Sequence, residues 1–200
     1  MFMQIMQGKV RDADSAMGLM ERWSRDLEPG AVGWLGGTYG VTDDDTMIAA
    51  VRFESQDAAR RNSERPEQDA WWKEMERCFD GPVTFHDCDN VITLLGGGSD
   101  SAGFVQIIQG SVKDRDRARA LIEQSGPVLS KYRPDIMGAT IAIDADGFFT
   151  ETIAFTAEDE ARKAEMKEMP AEMSRLYNEE MSLLDDLTFI DLHKPAFAHH

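Results

Sequence analysis

The sequence predicts an α+β fold made of two tandem βαββαβ units. Three observations predict it: a long internal repeat, strand-like and helix-like hydrophobic patterns that recur in the same order, and a Gly/Ser-rich segment between the two halves. We therefore place the first unit at residues 1–95, a linker at 96–103, the second unit at 104–194 and a tail at 195–200.

The repeat is visible in two matching segments, FMQIMQG from residue 2 and FVQIIQG from residue 104, which are offset by 102 residues. The offset of 102 holds without a gap to residues 60 and 162. Beyond them the match continues at an offset of 104, so that TFHD at 84–87 matches TFID at 188–191. Identical pairs of mixed residue type keep this register, among them Asp12/Asp114, Leu19/Leu121 and Phe53/Phe155. A duplication explains these matches better than chance does.

Each element of the first unit follows from a local pattern. Residues 2–8 form a short apolar strand, and Asp12 or Asp14 can cap a helix that runs to about Leu27. Residues 31–41 and 46–54 predict two strands joined by an acidic turn at 43–45, which becomes an Asp-Gly turn in the second half.

The rest of the unit is a second helical region and a last strand. Ser55 can cap the helix, which breaks near Pro66 in the first half but is predicted to continue over residues 158–186 in the second. Residues 83–95 form the last strand. This order is the ferredoxin-like split βαβ motif, and its bare sheet face must be buried against something. Pairing the two halves sheet to sheet, as an intrachain pseudo-dimer, would bury it.

Composition limits the classes of partner. The net charge of −16 argues against a nucleic-acid partner, because binding phosphate backbones requires basic patches. No apolar stretch approaches the roughly 20 residues that span a membrane, and the apolar start is too short for a signal peptide. Two cysteines, Cys78 and Cys88, without a CxxC motif, suit a reducing compartment. We therefore expect a cytoplasmic protein without nucleic-acid or membrane partners.

Two segments carry a resemblance to a known family. The stretch FESQDAA at 53–59 has an aromatic strand end that leads into a Ser-x-x-x-Ala helix start, and NSERPEQDAWW follows at 62–72. Both resemble the dimeric α+β barrel superfamily, in particular its antibiotic-biosynthesis-monooxygenase-like branch and that branch's actinobacterial members. The resemblance implies the barrel formed by two such units, and it covers nearly the whole chain.

The resemblance implies several activities. The superfamily includes cofactor-free monooxygenases of phenolic or quinol-like substrates, haem-degrading enzymes, isomerases and proteins without activity, among which fold cannot choose. Haem-degrading members carry an Asn on the first strand and a His on the second helix. This chain has Gln4 and Gln7 on that strand and no His on either second helix, which argues against haem. We expect no cofactor.

The first half carries the candidate binding residues. Trp72 shares a helix face with Met75 and Phe79, which predicts a core position. Trp71 lies about 100° around that helix and is either a pocket wall or a cover over the seam between helix and sheet. Asn62 and Arg65, in the broken helical region, can form a pocket mouth or a solvated loop.

The candidate base is His86, on the last strand. Alternation places it on one face with Thr84 and Cys88, and its counterpart Ile190 predicts a buried site. A buried His can act as a general base, although a hydrogen-bonded core His is the more common case. No set of His, Cys and carboxylate residues has the spacing of a metal site, so we expect none.

Two functions remain open from the sequence. The first is a cofactor-independent monooxygenase-like enzyme acting on an electron-rich aromatic or quinol-type substrate, with His86 as base, Trp71 as an aromatic wall, and Asn62 or Arg65 holding a substrate oxyanion. The second is a non-catalytic small-molecule-binding or scaffold protein, with the Met-rich helix of the second half as an interface. Further pairing into a homodimer is also open.

Overall fold

A computed structural model describes residues 1–198, which fall into two compact units. The first unit comprises residues 1–89 and 195–198, and the second comprises residues 90–194. The terminal residues 199 and 200, part of the predicted tail, lie outside the described residues. No helix in the described part of the chain is long and apolar enough to cross a membrane.

The first unit has five strands and three helices. They are β1 (Phe2–Lys9), α1 (Ala13–Asp26), β2 (Trp34–Val41), β3 (Thr46–Phe53), α2 (Gln56–Ser63), α3 (Pro66–Met75), β4 (Thr84–Cys88) and, from the end of the chain, β10 (Ala196–Ala198). Both predicted caps are confirmed, since Asp12 accepts from the Ser15 amide and Ser55 accepts from the Ala58 amide. The sheet order is β10-β2-β3-β1-β4.

The second unit repeats the succession of four strands and three helices, but its fifth strand comes before that succession, whereas β10 of the first unit comes after it. Its elements are β5 (Asn90–Leu94), β6 (Phe104–Val112), α4 (Arg115–Tyr132), β7 (Ile136–Ile143), β8 (Phe148–Phe155), α5 (Glu158–Glu165), α6 (Ala171–Met181) and β9 (Leu184–Leu192). Its sheet order is β5-β7-β8-β6-β9. All the neighbouring strands of both sheets are antiparallel, as expected for an α+β fold.

Two sequence predictions about elements were wrong. The single last strand predicted over residues 83–95 is two strands, β4 and β5, separated by Asp89; β4 pairs with β1, whereas β5 pairs with β7 in the second unit. The helix predicted to be continuous over residues 158–186 breaks, because Pro170, which has no amide hydrogen to donate, is the N-cap of α6.

The helices of each unit cover one face of its sheet. In the first unit Met20 and Trp23 of α1 pack in one cluster with Met6 of β1, Ala49 of β3 and Trp71 of α3. In the second unit Ile122 of α4 packs with strand residues of β5, β7 and β8. The space between helices and sheet is where each unit holds its cavity.

Candidate functional site

Each unit contains a cavity between its helices and its sheet. The first unit's cavity has a volume of about 270 Å³ and is lined by residues of β1, β2, β3, β4 and all three helices. The second unit's cavity is larger, about 620 Å³, and is lined by residues of all five strands and all three helices of that unit. These volumes are near or within the range typical of small-molecule sites.

Aromatic rings form the walls of the first cavity. All four tryptophans of the chain line it. The rings of Trp23 and Trp34 are 5.2 Å apart and tilted, and Trp72 meets Phe85 edge to face at 5.3 Å. Such walls suit a flat aromatic ligand.

Most polar groups of the first cavity are paired within the protein. Trp23 Nε1 donates to Gln68 Oε1 at 2.6 Å, and Trp71 Nε1 donates to the Leu19 carbonyl oxygen at 2.8 Å. Trp34 Nε1 and Ser24 Oγ are exceptions, because neither of these buried atoms has a hydrogen-bond partner among the described residues. A buried polar group without a partner is uncommon in a folded protein and calls for an explanation.

Asn62 lines the first cavity, and Arg65 holds it in place. The Asn62 side chain is 7% exposed, and its Oδ1 accepts from Arg65 Nη1 at 2.9 Å. The same Nη1 donates to the Leu27 carbonyl oxygen at 3.0 Å, and Arg65 Nε donates to Glu67 at 2.9 Å. Arg65 is not among the lining residues, so the structure brings Asn62 to the cavity and places Arg65 behind it.

His86 lies on the sheet face opposite to the first cavity. On β4, Phe85 pairs with Met6 and His86 pairs with Ile5; Phe85 and Met6 line the cavity, while His86 and Ile5 do not. Neighbouring strand residues point to opposite faces. The structure therefore brings Trp71 and Asn62 together at one cavity and separates His86 from them.

Of the two adjacent tryptophans, Trp71 is the more deeply buried. Trp71 is buried at 6% exposure, whereas Trp72, expected in the core, is only partly buried. The Trp71 ring is fixed against α1, because its Nε1 donates to the Leu19 carbonyl oxygen. Both rings line the cavity, so Trp71 forms a pocket wall as well as part of the core.

A carboxyl group lies in the second cavity. Glu151, on β8, lines it, and no described residue forms a hydrogen bond with its side chain. Burial, and secondarily the nearby charge of Glu180, raises the pKa of Glu151 to about 8. Burial also raises the pKa of Glu180, which lines the same cavity from α6. Glu151 therefore holds its proton at neutral pH and can exchange it near pH 8.

Two charged residues, Asp191 and Arg162, hold the side-chain amide of Gln106 in the second cavity. Gln106 is 8% exposed and lines the cavity, and its Nε2 donates to Asp191 Oδ1 at 2.9 Å. Asp191 is paired in turn with Arg162, whose guanidinium lies over the Phe104 ring. Since the amide nitrogen is used, the amide oxygen of Gln106 is left as an acceptor for a ligand.

Sequence reasoning missed Glu151, although a signal was present. Ala49 pairs with Met6 in the first sheet, and Glu151 pairs with Ile108 at the equivalent place in the second. A charged residue in an apolar strand, 102 positions after an alanine, is the kind of one-sided difference that the internal repeat exposes. Within residues 1–198, no cluster of three or more His, Cys, Asp or Glu could hold a metal ion.

No protein-family model matches the chain, and no curated protein is similar to it in sequence. Solved structures are similar in fold. A monooxygenase-like protein from Lactobacillus acidophilus aligns with a TM-score of 0.75 and 12% identity over 99% of this chain and 96% of that one. One from Fusobacterium nucleatum aligns with a TM-score of 0.74 and 9% identity over 99% and 94%.

A third similar structure is an anthrone-oxidase-like protein, which aligns with a TM-score of 0.67 and 8% identity over 100% of this chain and 94% of that one. Identities this low establish the fold alone. The resemblance inferred from the sequence is thus confirmed at that level: the chain has the α+β fold of these monooxygenase-like proteins.

Proposed function

We propose that this chain is a small-molecule oxygenase that needs no cofactor, and that its chemistry takes place in the cavity of the second unit. One observation carries the proposal: a cavity of about 620 Å³ contains Glu151, whose pKa is raised to about 8. A large cavity with a perturbed titratable group is the physical signature of an active site.

The proposed substrate is an electron-rich aromatic, such as a phenol, a quinol or an anthrone. Glu151 removes a proton from it, and the resulting anion donates electrons to dioxygen. One oxygen atom enters the substrate, the other leaves as water, and the substrate loses two hydrogens; for an anthrone, the products are the quinone and water. The oxidant is O₂, and the substrate supplies all the electrons.

The raised pKa makes Glu151 a better base for this reaction than an ordinary carboxylate. A carboxylate at its usual pKa is too weak a base to remove a proton from a phenol, whose pKa is near 10. A base whose pKa lies near the operating pH combines a usable ionised fraction with adequate basicity. Gln106 Nε2 donates to Asp191, so the amide oxygen of Gln106 would accept a hydrogen bond from a substrate hydroxyl.

The names of the similar structures support this choice of chemistry. Two are monooxygenase-like and the third is anthrone-oxidase-like. The second function left open by the sequence, ligand binding without chemistry, is favoured for the first cavity. There the lining carboxylate Asp69 forms an ion pair with Lys73 at 2.7 Å, so that cavity has no base comparable to Glu151.

We also propose that the two units form the intrachain pseudo-dimer of a dimeric α+β barrel. Support comes from the sheet faces turned away from the helices, which carry apolar residues such as Met3 and Ile5 on β1 and Ile107 on β6. The chain is also proposed to be a tandem repeat, because its two halves match at an offset of 102 residues up to residues 60 and 162 and share the core succession of elements. A cytoplasmic location is also proposed, because Cys78 and Cys88 are buried thiols, which suits a reducing compartment.

The test measures oxygen uptake with anthrone as substrate. Glu151→Gln keeps the shape of the side chain and removes the base, so turnover should fall by about 10²- to 10⁴-fold. His86→Ala is the matched comparison, because His86 remains the base predicted from the sequence. Loss of turnover in His86→Ala with normal turnover in Glu151→Gln would transfer the chemistry to His86. Absence of oxygen uptake by the wild type would contradict the oxygenase itself.

A further inference from the structure

A guanidinium group lies on the wall of the second cavity. Arg133, which follows α4, lines the cavity, and its side chain is 15% exposed. The Cζ atom lies 5.8 Å from the centre of the Phe155 ring, and this ring lines the same cavity. Stacking on the ring therefore places the charged end of Arg133, and not only its apolar stem, at the cavity wall.

A buried carboxylate fixes this guanidinium. Asp135 is 7% exposed and accepts from Arg133 Nε at 3.0 Å and from Arg133 Nη2 at 2.7 Å. The ion pair uses one edge of the guanidinium and two of its five N–H groups, so three N–H groups remain on Nη1 and Nη2. The first unit has Ala31 and Gly33 at the corresponding positions, so this pair belongs to the second unit.

The remaining donors of Arg133 are accessible. Its Nη1 forms no hydrogen bond with any described residue, and it is not among the described buried polar atoms that lack a partner. This nitrogen therefore keeps accessible surface. Two parallel N–H groups at the free end of a fixed guanidinium match the two oxygens of a carboxylate.

The other charged residues that line the cavity are compatible with an anion at this place. Lys167, in the exposed segment between α5 and α6, is a second cation. Glu165 is paired with Arg162 at 3.4 Å, and Glu168 is exposed to solvent. Burial raises the pKa of the two lining glutamates on β8 and α6, which weakens their repulsion of an anion at neutral pH.

Arg133 and the proposed base lie at different places along the cavity. Glu151, Ile153 and Phe155 alternate along β8, and all three line the cavity. Four residues of a strand span about 13 Å, and the guanidinium lies over the last of these side chains. One molecule with fused rings can therefore contact Glu151 at one end and Arg133 at the other.

We propose that the substrate of the second cavity carries a carboxylate, and that Arg133 binds this carboxylate and determines specificity. The acidic proton of the substrate lies at Glu151, and the carboxylate lies at the far end of the ring system. This inference rests on the oxygenase proposal for the reaction and adds the substrate class, an aromatic acid with a phenol, quinol or anthrone ring. A substrate without the carboxylate still fits but binds more weakly.

Binding of a matched acid and amide tests the proposal without requiring turnover. The probes are anthraquinone-2-carboxylate and anthraquinone-2-carboxamide, which differ in charge and are already oxidised. Calorimetric titration should find that the wild type binds the acid about 10- to 100-fold more tightly, as expected for charge-assisted hydrogen bonds. The double variant Arg133→Met, Asp135→Asn removes both charges together, so that no buried carboxylate is left unpaired, and should bind the two probes equally.

Arg175→Met is the matched control, because Arg175 is 65% exposed on α6 and does not line the cavity; this variant should keep the preference for the acid. Equal affinities of the wild type for the two probes would overturn the proposal whether or not the double variant folds, and so would a preference that survives in a folded double variant. A preference lost in the double variant supports the role of Arg133 even without oxygen uptake. Oxygen uptake without the preference would refute that role and leave the oxygenase standing.

Discussion

The two cavities occupy equivalent places in their units and differ in size and chemistry. Where the first has Trp23 and Ala49, the corresponding positions of the second have Ser125 and Glu151, and all four residues line their cavities. The first is narrow and aromatic. The second has more than twice the volume, about 620 against 270 Å³, and contains a carboxyl group. If the proposed functions are right, few side chains decide whether a unit of this fold holds a binding site or a reactive one.

The largest effect is expected when the carboxyl group is moved to the narrow cavity. Ala49 is 1% exposed, and Ala49→Glu would place a carboxylate among aromatic rings with no lining cation. We expect a loss of about 3 kcal/mol in the free energy of unfolding at pH 7. Urea denaturation measures it.

A matched control separates charge from volume in that experiment. Ala49→Met adds a side chain of similar length without a carboxyl group, and it should cost less than half as much because the cavity can accommodate it. If Ala49→Glu were as stable as the wild type, the contrast between the two cavities would lose its physical basis. Equal losses in both variants would mean that volume alone sets the difference.

A smaller effect is expected from narrowing the second cavity. Ser125→Trp introduces the ring that Trp23 supplies in the first unit, and it should weaken anthrone binding about 10-fold, or about 1.4 kcal/mol. Ser125→Ala is the control, because Ser125 Oγ is already used by the Ile122 carbonyl of its own helix at 2.7 Å. Calorimetric titration should find the alanine variant unchanged; equal binding by all three proteins would place anthrone elsewhere.

Much of the fold could be predicted from local patterns. Helix caps at Asp12 and Ser55 are short-range signals, and both were correct. The separation of β4 from β5 could not be predicted, because an extended segment shows the same alternation whichever sheet it joins. The break before α6 had a local signal in Pro170, which aligns with the helix-breaking Pro66 of the first half.

The candidate site was harder to predict than the fold. A pocket position was one of two alternatives for Trp71, Asn62 and Arg65; Trp71 and Asn62 line the first cavity, and Arg65 does not. Glu151 was not predicted, because the aromatic and polar residues that indicate a pocket are concentrated in the first half. A single glutamate in an apolar strand is conspicuous only when compared with Ala49. Its raised pKa depends on burial and on Glu180, which are properties of the folded chain that no local pattern contains.

The pH dependence of oxygen uptake tests the central claim most directly. Glu151 must lose its proton to act as a base, and its pKa is raised to about 8. With anthrone, kcat/KM of the wild type should therefore rise with pH, reach half its maximum near pH 8 and level off above it. In Glu151→Gln the residual rate should lack this inflection. A profile that keeps the inflection in Glu151→Gln but loses it in His86→Ala would contradict the account.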